Sequence, residues 1–149
     1  MSKRNVVLSL AAAPAVAVLI SSCAPAAHNG AHSNLTMQCT ETLNAGTDVT
    51  DGGVSGTGHC TITGMLHDNG PTTDYRTQNG ETAIIRRVVT GTKGTITFVI
   101  TIPLANGGGE PWKITSGTRT YAKLHGRGYQ TVDNYQGDPA TFVLKGNVS

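Results

Sequence analysis

"TITFVITI", residues Thr95 to Ile102, alternates with a period of two. Ile96, Phe98, Ile100 and Ile102 fall on one face, with Thr95, Thr97 and Thr101 opposite. Successive strand side chains point to opposite sides, so this pattern predicts a strand with one face in a core. "ATFVLKG" repeats it, with Ala140, Phe142 and Leu144 on one side and Thr141 and Lys145 among the others. "PWKIT" groups Trp112 with Ile114, and "HCTITGML" sets Cys60, Ile62 and Leu66 against Thr61 and Thr63. "TAIIRRVV" is more uniformly apolar, and the adjacent Arg86 and Arg87 must point to opposite faces, so one of them can face inward.

Turn signals separate these runs: "DGG" at Asp51, "DNGP" at Asp68, "QNG" at Gln78, "NGGG" at Asn106 and "QGDP" at Gln136. Short strands punctuated by Gly, Asn and Asp predict an all-β antiparallel sandwich or barrel from about Leu35 to Ser149. No helix of ordinary length is expected there. Nineteen glycines against seven aromatics point to a core of Ile, Val, Leu and Thr with close backbone turns.

The first residues read differently. Lys3 and Arg4 precede an apolar run, Val6 to Ile20, that Pro14 interrupts. A membrane span needs about 20 apolar residues. A basic start, a short apolar run and small residues predict instead a secretory signal peptide over residues 1–22. Its end, "ISSC" (Ile20 to Cys23), resembles a bacterial lipobox. That resemblance implies a Cys23 thiol bearing a diacylglyceryl group, an acylated (palmitate-type) N-terminus, and a lipoprotein on the extracytoplasmic face of the cell membrane. The polar, small-residue stretch that follows makes residues 23–34 a flexible tether. His28 and His32 lie in it four apart, but Asn29 and Gly30 oppose a helix and the other ligands of a closed metal site are missing. No metal and no cofactor is expected.

The chain has three cysteines. Lipidation of Cys23 accounts for the odd one and leaves Cys39 and Cys60, which an oxidising compartment would bridge. Cys39 alternates with Met37 as Cys60 does with Ile62. A bridge closing that loop stabilises by roughly 3 kcal/mol on the chain-entropy argument. With Lys3 and Arg4 in the leader, nine basic residues remain against nine acidic ones. No basic stripe with interleaved aromatics appears, so no nucleic-acid partner is expected.

"WKITSGTRTYAKLHGRGYQTV", Trp112 to Val132, reads as strand, break at Ser116-Gly117-Thr118, one helical turn over "TYAKL", then strand, with glycines where the chain reverses tightly. Trp112, Tyr121 and Leu124 are the structural residues of this corner. The segment resembles the signature of the allene oxide cyclase-like barrel superfamily, which includes the dirigent proteins, a run of the type W-x-I-x-x-GTG-x-(Y/F)-A-x-(L/A)-x-G-x-G. Trp112, Ile114, Gly117, Thr118, Tyr121, Ala122, Leu124, Gly126 and Gly128 match it, while Arg119 stands where that family usually has glycine. The resemblance implies an eight-stranded antiparallel β-barrel; alternation alone implies only an all-β domain.

Catalytic constellations are scarce. The chain has no nucleophile elbow, phosphate loop or metal-binding helix motif. "HGRGYQ" lacks the third glycine and the βαβ context of a dinucleotide site. His125 reads as a polar turn residue, His59 loses any thiolate role if Cys60 is bridged, and His67 and Asp68 read as solvated at a turn. No catalytic residue is assigned. Two classes of function follow. The preferred one is a non-enzymatic envelope lipoprotein whose barrel binds a small apolar ligand or an envelope protein. The alternative is a cyclase- or isomerase-like enzyme with an apolar barrel cavity. A filled interior favours the first, and a deep pocket with a buried polar pair favours the second.

Overall fold

The computed structural model describes residues 33–44, 51–105, 109–135 and 137–149. Cys23, the leader, His28 and His32 lie outside these residues, as do Asn106 and Gln136. Eight strands run in chain order: β1 (Ser33–Leu43), β2 (Asp51–Gly64), β3 (Asp68–Asn79), β4 (Thr82–Gly91), β5 (Gly94–Pro103), β6 (Glu110–Gly117), β7 (Gly126–Asn134) and β8 (Ala140–Val148). Each pairs antiparallel with the next, and β8 pairs back onto β1, so the sheet is a closed eight-stranded barrel. Closure leaves no strand with an unpaired edge. The expected all-β antiparallel barrel is the observed fold, and its first strand begins at Ser33, two residues inside the stretch read as tether.

Alternation sets the two faces. On β5, Ile96, Phe98 and Ile100 are buried while Thr95, Thr97 and Thr101 lie on the outer face. β1 turns Leu35, Met37 and Cys39 inward and Thr36, Gln38 and Thr40 outward. Cys39 lies directly opposite Cys60 in the β1–β2 register, and the two form a disulfide inside the barrel. Phe98 and Trp112 meet edge to face, 5.5 Å between ring centroids.

Several turn signals act differently from their reading. "QNG" makes a tight β3–β4 hairpin, with Asn79 opposite Thr82. Asp51 and Asp68 instead open strands β2 and β3. The single helical turn of the corner is a 3-10 turn at Arg119–Tyr121. Gly126 and Gly128 do not reverse the chain; they lie within β7. A Cβ on Gly128 or on Gly146 of β8 would sit 2.7 or 2.5 Å from Trp112 Cζ2, so the indole fills the space these two residues leave.

One end of the barrel is closed. Asp68 accepts hydrogen bonds from the Tyr121 hydroxyl (2.7 Å), the Thr92 hydroxyl (2.8 Å) and the backbone N–H groups of Asn69, Thr92 and Lys93. This ties the corner to the β4–β5 hairpin and to the start of β3. Asp68, read as solvated, is in fact buried. Burial alone would raise its pKa. The bonds from Tyr121, Lys93, Thr92 and Asn69 outweigh that and hold the carboxyl well below the usual carboxylate range. Burial and the same carboxylate push the Tyr121 phenol up.

Candidate functional site

The barrel is packed in its closed half and open in the other. Above the layer of Met37, Phe98, Trp112 and Leu144 the interior turns polar. On β4 the inward positions are Ala83, Ile85, Arg87 and Val89, which drives Arg87 into the barrel and Arg86 outward, where its guanidinium lies 4.1 Å from the Tyr75 ring centroid. Arg87 is 1% exposed. A buried guanidinium must be paired and hydrogen-bonded. Its Nε and Nη2 donate to the two Asp74 oxygens at 2.9 and 2.7 Å, and Nη1 donates to Gln130 Oε1 at 3.1 Å. Its plane also lies over Phe142, 4.8 Å from the centroid.

Two more carboxyls complete the layer. Glu41, fully buried on β1, places Oε1 2.8 Å from Arg87 Nη2, an ion pair without the alignment of a hydrogen bond. Gln130 Nε2 donates to Glu110 Oε2 at 2.6 Å. The chain of contacts is therefore Glu41 and Asp74 on Arg87, then Gln130, then Glu110. Burial, reinforced by the Asp74 carboxylate and opposed by Arg87, pushes the Glu41 carboxyl up to about 8. Burial works against the Arg87 charge, but Asp74, Glu41 and Glu110 outweigh it and raise the guanidinium pKa further.

On this polar floor stands a cavity of about 820 Å³, opening at the end opposite the corner. Asp74, Arg87, Gln130 and Glu110 form its floor; Ala83, Ile85, Ile102, Val132 and Phe142 are among its apolar walls. At the rim, Leu104 and Tyr135 are 44% and 62% exposed. An apolar concavity of a few hundred Å³ with convergent polar groups is the usual form of a small-molecule site.

Of the residues singled out by sequence, Trp112 and Tyr121 are buried and Leu124 packs half-buried against the core. The structure separates them: Tyr121 and Leu124 lie at the closed end, and Trp112 lies within the barrel beside Phe98. Cys39, Glu41 and Cys60 bring three potential metal donors within 4.8 Å. Both sulfurs are spent in the disulfide, which leaves one carboxylate there. The floor itself was not read from sequence, though part of it was signalled. Glu41 continues the Leu35, Met37, Cys39 face of β1, and Arg87 lies opposite inward-facing Phe98 across a two-residue hairpin. Asp74 carried no such signal, because β3 shows no apolar alternation: its inward residues are Thr72, Asp74 and Arg76. Comparison of the chain with protein-family models, curated proteins and solved structures finds no match.

Proposed function

We propose that the protein is a lipid-anchored lipoprotein of the cell envelope, held on the extracytoplasmic face of the membrane through Cys23, whose barrel binds a small, mostly apolar ligand. The cavity above the Arg87 floor carries this reading: it is large enough for a drug-sized molecule, it has Ala83, Ile85, Ile102, Val132 and Phe142 among its walls, and Asp74, Arg87, Gln130 and Glu110 converge at its base. The leader, the lipobox and the likeness of the Trp112–Gly128 run to the allene oxide cyclase-like superfamily support it.

An open half with a buried polar cluster is also what a cyclase- or isomerase-like enzyme needs, so that second reading stands on the same floor. Binding is favoured because the floor is largely self-paired. Both Asp74 oxygens accept from Arg87, and Glu41 lies behind the guanidinium rather than on the cavity wall. A general acid or base has to reach the proton it moves.

Titration with the apolar dye Nile red tests the binding reading. Ile102→Trp, which fills the cavity from its wall, should abolish the fluorescence rise while the melting temperature stays near wild type. Equal dye binding by both proteins would refute a ligand site there. The enzyme reading makes a different prediction: small molecules recovered from wild type and from Asp74→Asn protein would be isomers of one mass.

A further inference from the structure

The antiparallel closure sorts the exposed charges by barrel end. The closed end carries Lys93, Arg119 and Lys123, all exposed, together with His67 and His125. Among the described residues its one acidic side chain is the buried Asp68. The open end carries Asp51, Glu81, Asp133 and Asp138 exposed and Glu110 half-buried, against Arg76. The barrel is thus a charge dipole along its axis, although no basic run exists in the sequence.

The tether enters at the basic end. Ser33 pairs with Val148, Val148 pairs with Gly126, and the His125 and Ser149 backbones exchange hydrogen bonds at 3.0 and 2.9 Å. From Cys23 to Ser33 the chain can span at most about 35 Å. An acylated Cys23 would therefore hold this end, and not the cavity mouth, within a few Debye lengths of the bilayer. Arg119 adds an independent sign. Its φ is 50°, a left-handed conformation that costs any residue but glycine, and among the described residues no hydrogen bond or ion pair holds its guanidinium. Its side chain is exposed and adds to the cations of this end.

We propose that the closed end docks on the anionic phospholipid surface of the membrane that carries the anchor, through Lys93, Arg119 and Lys123. The cavity mouth then faces away from the bilayer, with its acidic rim repelled by the same surface. The inference rests on the lipid-anchor reading for the tether, and the anion dependence below is separate from it. Lys and Arg side chains beside an anionic leaflet are attracted within about a Debye length.

Acylated protein in nanodiscs with gadolinium-chelating headgroups tests this by amide line broadening. In discs rich in phosphatidylglycerol, broadening should concentrate at Lys93, Thr120 and Lys123 and spare Asp51 and Asp133; in phosphatidylcholine discs the contrast should fade. Arg119→Gly should weaken the anionic-disc contact roughly fivefold while raising the melting temperature, and Lys123→Glu should weaken it further. Glu81→Lys, at the far end, should leave the pattern in place. Broadening that ignores lipid charge, or that is stronger at the mouth, overturns the docking. So does binding of soluble polyphosphate without any lipid response, which assigns the end to an anionic polymer. If the protein fails to join the discs at all, the anchor reading falls. Titration of the unacylated full chain, Cys23→Ser, with phosphatidylglycerol against phosphatidylcholine vesicles then still decides the docking.

Discussion

Glu41 keeps its proton near neutrality because water cannot reach it and Asp74 competes for the same guanidinium. Its folded pKa, about 8, lies above the ordinary value of 4.5. Between those values the native state binds a proton that the unfolded chain has lost, so stability falls as pH rises from about 4.5 to about 8. Glutamine mimics the protonated acid. Glu41→Gln should melt like wild type at pH 5 and several degrees higher at pH 9, measured by circular dichroism. Asp68 titrates in the opposite sense. Its folded pKa is depressed, so its contribution is present above the usual carboxylate range and is lost as pH falls below it. Removing its phenolic donor in Tyr121→Phe should cost about 1.5–3 kcal/mol in urea unfolding near pH 7, the range for a hydrogen bond to a charged group. An unchanged midpoint would show that the closed end is not held by this bond.

At the scale of the strand, the β6–β7–β8 seam depends on what its residues lack. Trp112 fits because Gly128 and Gly146 carry no side chain beneath it. A methyl at Gly146 would meet both the indole and the Arg127 carbonyl, so Gly146→Ala should lower stability by about 1–3 kcal/mol or prevent folding. Trp112→Ala should cost about 3–5 kcal/mol through the cavity it leaves. A neutral outcome for both would mean the seam is loosely packed. Strands whose inward positions are regularly apolar, such as β5 and β8, were legible from alternation alone. β3 was not, because its inward side chains are polar and line a cavity rather than a core. Arg87 was ambiguous for a related reason: the apolar residues of β4 fall on both faces, and only the register with Phe98 across the hairpin fixes which arginine turns in. The glycines of the corner were read as turn formers, whereas their role is a close approach that only three-dimensional packing reveals.

For the whole molecule, the barrel divides into a half that is filled and held and a half that is open. The disulfide, the Phe98–Trp112 contact and the Asp68 corner belong to the first; the self-paired Arg87 layer separates it from the second. The charge dipole follows the same axis, but its cations, Lys93, Arg119 and Lys123, are too scattered in the chain to show as a basic segment. The central claim is that the open half holds a ligand, and native mass spectrometry of the protein extracted from its own membrane tests it most directly. The account predicts a polypeptide acylated at Cys23 that carries a non-covalent small-molecule adduct, with the adduct absent from Ile102→Trp. An acylated chain that carries no adduct, or an Ile102→Trp protein that keeps the same one, would contradict it.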